Sequence, residues 1–131
     1  MRFMSPLPKT CRYSSLLWHE SQVLKGVRYA TRRASLAGRL ELLNKVRELV
    51  LRNEFLKNGE PAEQLEASMA DVMVQRLYLE WGLAEINGLH IDGQPATTEM
   101  LIEKGPETLT DEIITSVQAE LGLSEEERKN S

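Results

Sequence analysis

The sequence predicts a mainly α-helical small domain: a helical hairpin with a short extended N-terminal segment and a Gly-rich turn region. Three observations predict it. Leucine and valine recur at helical spacing over residues 36–57 and 61–82, and Asn58-Gly59 stands between the two runs. Seven aromatic residues in 131 leave leucine to carry the core. One domain fits this length. The expected organisation is a flexible arm over 1–15, a single helical domain over 16–123, and a short helical or disordered tail over 124–131.

Taken in order, residues 1–15 hold Pro6, Pro8 and scattered serine without a sustained period, so few apolar groups offset the entropy of ordering them. Residues 16–34 suit one extended segment or a short hairpin about Lys25-Gly26. Ser35 is an N-cap candidate whose oxygen accepts from an amide of the first turn. After it, Leu36, Leu40, Leu43, Val46 and Val50 form one helical stripe. Leu42, Leu49 and Leu56 form a second, adjoining one, and together they cover about half the circumference, wider than a surface helix needs. The second stripe is therefore expected to pack on something, either elsewhere in the chain or on another chain. Asn58-Gly59 tolerates the left-handed conformation that ends helices, and Pro61 suits the first position of the next helix. That helix carries Leu65, Met69, Val72, Met73 and Leu77 as far as Trp81 and Gly82. Asn87-Gly88 and Asp92-Gly93 are turn dipeptides bracketing a short hairpin or a compact loop. Helices are expected over 98–104, before Gly105-Pro106, and over 110–121, ended by Gly122. Ser124 and Glu127 form a capping-box signature.

Composition excludes several function classes. Cys11 is the one cysteine, which excludes a disulfide-stapled scaffold. With His19 and His90 far apart, an ordinary His/Cys zinc site is excluded as well. No apolar run approaches the roughly 20 residues that cross a bilayer, so a cytoplasmic protein is expected. No phosphate-cradling glycine motif is present, and Ile91, Pro95 and Ala96 interrupt any calcium-loop series around Asp92. No cofactor, metal or catalytic constellation follows, so the protein reads as a non-enzyme.

Charge is distributed unevenly. Residues 1–57 hold 12 Lys/Arg against 4 Asp/Glu, and residues 58–131 hold 4 against 16. Such a chain favours contact between its own halves, head-to-tail self-association, or contact of the N-terminal half with a polyanion. Arg28, Arg32, Arg33 and Arg39 form a basic patch that would bind nucleic acid through counterion release. Against that reading, the chain is acidic overall and shows no recognised DNA-binding helix pair. The residues singled out for partner contact are Leu42, Leu49, Leu56, Met69, Met73 and Trp81.

Four segments, in order, resemble a known family. They are GVRYATRRASLAGRLEL (26–42), YLEWGL (78–83), INGLHIDGQPAT (86–97), and GPETL (105–109) with LSEEERKN (123–130). The chain from Gly26 onward resembles the small tail assembly chaperones of long-tailed bacteriophages and prophages. The resemblance implies a mostly helical cytoplasmic factor without enzymatic activity. Members of that family are thought to coat the tape measure protein, the long helical ruler of the tail. Tail-tube subunits then polymerise around it and displace them. The implied partners are the tape measure protein, the tail tube protein and further copies of the chaperone, engaged by helix-in-groove contacts. The family has no catalytic motif to carry over, and the longer, aromatic-rich N-terminal arm departs from its usual pattern. The alternative from the residues alone is a small nucleic-acid-associated regulator using the basic segment 28–39.

Overall fold

The computed structural model describes residues 10–122. Strands β1 (Leu16–Glu20) and β2 (Arg28–Arg32) lead into helix α1 (Leu36–Leu56) and helix α2 (Pro61–Gly82). Then come β3 (Leu83–Asn87), β4 (His90–Ile91), β5 (Gln94–Pro95), α3 (Thr98–Lys104) and α4 (Glu107–Glu120). β1, β2 and β3 form an antiparallel sheet in that order, and β4 pairs with β5 in a separate two-stranded ribbon.

The chain is therefore mixed α/β, which corrects the mainly α expectation. Helices take 57% of the described residues, but the strands supply a wall of the core. Two features hid the sheet. Its central pairing joins Arg28–Thr31 to Leu83–Asn87 across both long helices, and a register shift between Ala30 and Thr31 skips Ala84. That bulge breaks the period-2 alternation that marks a strand in sequence. Of the two arrangements expected for 16–34, one extended segment or a short hairpin, the hairpin is the one that forms.

Local chemistry accounts for the element boundaries. The Ser35 hydroxyl accepts from the Gly38 amide at 3.0 Å and starts α1. Pro61 opens α2, and the Glu63 carboxylate accepts from the Glu60 amide at 2.9 Å. Asn58-Gly59 ends α1 without a left-handed residue, contrary to expectation: the Gly59 amide simply donates to the Leu56 carbonyl. The ribbon turns at Asp92 (φ 51°) and Gly93 (φ 80°), the two positive φ values that a tight two-residue hairpin needs. α4 begins three residues before the expected 110, because Pro106 stands at its N-cap. Gly122 (φ 77°) closes it as expected. Residues 10–15 carry no helix or strand. The rest of the arm and the Ser124 capping box lie outside the described residues.

α4 joins the layers through two adjacent rows of side chains. Leu109, Ile113 and Val117, spaced four apart, are buried and enter the core shared with Val74, Tyr78 and Leu79 of α2. The neighbouring row holds Glu112, Ser116 and Glu120. Glu112 accepts from the Ser21 hydroxyl and the Gln22 amide, both at 2.7 Å. Ser116 pairs with the buried Tyr29 hydroxyl at 2.9 Å, and Glu120 accepts from the Ala34 amide at 3.1 Å. The β1–β2 hairpin is thus fastened at its loop, its middle and its exit. At the end of α4 the Arg39 guanidinium donates to the Leu121 carbonyl at 2.6 Å, tying α1 to the same helix. Where α2 turns directly into β3, Gly82 lies against α4, and a β-carbon there would overlap the isopropyl group of Val117.

His19 belongs to the same seam. Its ring stacks on Tyr29 at 4.9 Å between centroids, and its Nε2 pairs with the fully buried Thr31 hydroxyl at 2.9 Å. Burial lowers its pKa below the usual 6.5, opposed by the weaker attraction of Glu112 and Glu120 for the imidazolium.

Two outcomes follow. Gly82→Ala is expected to lower stability, since overlap with Val117 costs about 1–3 kcal/mol against a helix-propensity gain of about 1 kcal/mol. Thermal melts should show the penalty shrinking in a Val117→Ala background. Because the folded protein holds His19 less readily protonated than the unfolded chain, its contribution is complete above pH 6.5. It is lost as pH falls through the lowered folded value. The urea midpoint should fall over that window, and His19→Gln should flatten the slope.

Candidate partner-binding surface

At 100° per residue, α1 presents apolar side chains on two sides. The structure buries the second stripe and divides the first between core and surface. Leu42 (1% exposed) and Val46 are buried, Leu49 packs against the core, and Leu56 is half-buried. Leu36 (92% exposed), Leu40, Leu43 and Leu51 face outward. The Leu42, Leu49 and Leu56 stripe is therefore covered within the chain, whereas the other stripe divides, with Val46 and Val50 in or against the core and Leu36, Leu40 and Leu43 at the surface. Hydrophobicity cannot distinguish the sides, because both carry leucine. The direction is set by which side Ala67, Ala70, Val74 and Tyr78 of α2 meet.

A groove of about 450 Å³ runs beside the outer row, floored by Leu42, Val46, Val50, Tyr78 and Leu121 and flanked by Leu43 and Leu51. Its charged lining is Arg39 and Arg47, with no acid. Sequence reasoning missed it, because α1, α2 and the end of α4 each contribute part. Arg39, one residue of the basic patch, and Arg47, four residues beyond Leu43, are the sequence signals of a basic edge to the row. On α2, Leu65, Met69, Val72 and Met73 are exposed and run toward a second groove of about 380 Å³ between α2, α3 and α4. Met69 and Met73, singled out from sequence, are thus at the surface. Trp81 is buried, and the structure moves it from candidate contact to core residue.

The four arginines of the basic patch are each engaged within the chain. Arg28 lies 5.1 Å from the centre of the Trp18 ring, and Arg32 lies 4.4 Å from that of Trp81. Arg33 donates to the Ser14 carbonyl at 3.0 Å, and Arg39 holds Leu121. Three of them therefore brace the sheet and its flanks, and the fourth edges the groove. Cys11 and His90 are exposed. Among the described residues, no group of three or more His, Cys, Asp or Glu side chains could hold a metal ion. No helix among them is long and apolar enough to cross a membrane.

Leu42→Glu is expected to unfold the protein, because a buried unpaired charge costs several kcal/mol against a total stability of about 5–15 kcal/mol. Leu40→Glu, on the outer row, should change stability by about 0.5 kcal/mol or less. Circular dichroism melts of the two variants check the assignment of sides. No protein-family model, curated protein or solved structure matches this chain.

Proposed function

We propose that this protein is a tail assembly chaperone that binds the phage tape measure protein and keeps it soluble in the host cytoplasm until tail-tube subunits displace it. One observation carries the reading: the hairpin helices display rows of large exposed apolar side chains, Leu36 and Leu40 on α1 and Leu65 and Met69 on α2. Exposed apolar rows of this extent mark interaction surfaces. A partner supplying an amphipathic helix would cover them in the helix-in-groove mode. The resemblance to the tail chaperones names such a partner, since the tape measure is a long helical protein. The residues carrying that resemblance include Val27, Tyr29, Leu42, Tyr78, Trp81 and Leu109, all of them core residues. They support a shared fold more than a shared contact surface.

The test is co-expression with the tape measure protein of a long-tailed phage. The tape measure should move from the insoluble to the soluble fraction and co-purify with the chaperone. Leu36→Glu with Leu40→Glu, which leaves the core intact, should reduce the soluble fraction several-fold. Wild-type chaperone that neither co-purifies with the tape measure nor raises its solubility would overturn the reading.

A further inference from the structure

The α1 groove lies where α4 comes to its end. Leu121 is part of its floor, and the Arg39 guanidinium on its edge holds the Leu121 carbonyl at 2.6 Å. Gly122 (φ 77°) breaks the helix there, so Leu123 follows within about 7 Å of the floor, the span of two residues of extended chain. The charged lining of the groove is Arg39 and Arg47 without an acid, and neither arginine has an ion-pair partner among the described residues. In the sequence, Leu123 and Ser124 are followed by Glu125, Glu126 and Glu127. The second groove, between α2, α3 and α4, would set Glu107 and Asp111 against those carboxylates, and its Arg76 is already paired with Glu80 at 3.1 Å.

We infer that segment 123–131 of the same chain occupies the α1 groove and covers it until a partner displaces it. Leu123 enters beside Leu121, and the carboxylates of Glu125–Glu127 meet Arg47. The reach suffices. Arg39 and Arg47 lie about 12 Å apart along α1, eight residues at 1.5 Å, whereas extended chain from Leu121 to Glu126 spans up to about 17 Å. Burial of Leu123 supplies attraction, and the charges choose this groove over the acidic one. A contact of this size is weak between separate molecules, but the tether compensates. A short linker sets an effective concentration on the order of 1 mM, so a contact with a dissociation constant of about 100 μM is filled roughly nine-tenths of the time. The docking needs only the chain itself, so its failure leaves the tape-measure reading standing. On that reading, a partner helix competes with the segment for the groove.

Proteolysis of the full chain tests the docking. A glutamate-specific protease cuts after Glu125–Glu127, and mass spectrometry follows release of the segment against a free peptide of residues 121–131 in the same digest. At low salt the segment should be cut about tenfold more slowly in the protein than in the peptide, as nine-tenths occupancy requires. Arg47→Glu, at an exposed position, should raise the rate in the protein several-fold, and so should salt that screens the charges in the wild type. Leu43→Glu, which blocks the groove from another exposed position, should act in the same way and replaces Arg47→Glu if that variant does not fold by circular dichroism. Three results would each overturn the inference. They are a wild-type segment cut as fast as the peptide, protection that survives in the folded groove variants because the segment is ordered by itself, and protection that grows with protein concentration because a second copy supplies the groove.

Discussion

The double row on α4 is the constraint on which the rest of the architecture depends. A helix of 14 residues places Leu109, Ile113 and Val117 on one ridge and Glu112, Ser116 and Glu120 on the next. The first ridge enters the apolar core with α2, and the second fastens a hairpin that would be marginal alone. The two depend on each other. Without the apolar ridge nothing holds α4 close enough for three hydrogen-bonding side chains to reach the hairpin. Without the polar ridge, the exposed amide of Gln22 and the part-buried amide of Ala34 would lose their carboxylate partners, and a net hydrogen bond is worth about 0.5–1.5 kcal/mol. Gly82 belongs to the same contact, because only a residue without a β-carbon lets α2 approach Val117 and turn straight into β3.

The reach of α4 also explains the bare surface. It spans about 21 Å at 1.5 Å per residue, whereas α2 spans about 33 Å. Its contacts gather at the end of α2 that meets β3, where Val74, Tyr78, Leu79 and Trp81 are buried. Toward the Pro61 end only Ala67 and Ala70 of α2 are buried, both facing α1. A third layer over that part of the hairpin is absent from the described residues. Leu51, Phe55, Leu65 and Met69 consequently meet solvent. A chain that leaves leucine, phenylalanine and methionine exposed along two helices forgoes about 1.5–3 kcal/mol for each large side chain left unburied. That arrangement is sensible where another surface completes the layer.

The arginines show how one residue type serves two physical ends. In sequence they read as a single basic patch. In the fold, Arg28 and Arg32 lie over indole rings, where the flat guanidinium covers an aromatic face while keeping its charge hydrated. Arg39 binds the last carbonyl of α4, at the negative end of the helix dipole, and at the same time edges the α1 groove. The charge asymmetry of the chain therefore becomes a local asymmetry between two grooves.

Sequence by itself determined the punctuation and the helices. Ser35, Pro61, Asp92-Gly93 and Gly122 act through bonds and dihedral preferences within a few residues, so a local reading found them. The α1–α2 hairpin and α3 (98–104) fall where the spacing placed them, and a helix starting three residues earlier replaces the one expected over 110–121. Three things were decided only by tertiary structure. β3 is a strand because β2 accepts its pairing across both long helices, and its bulge removes the alternation that would have betrayed it. Leu42 is inside and Leu40 outside because α2 docks on one side of a helix whose two apolar sides look alike in sequence. The grooves exist because residues distant in the chain meet. Short-range chemistry is written in neighbouring residues, whereas the choice between equivalent apolar faces is made by whatever packs against them.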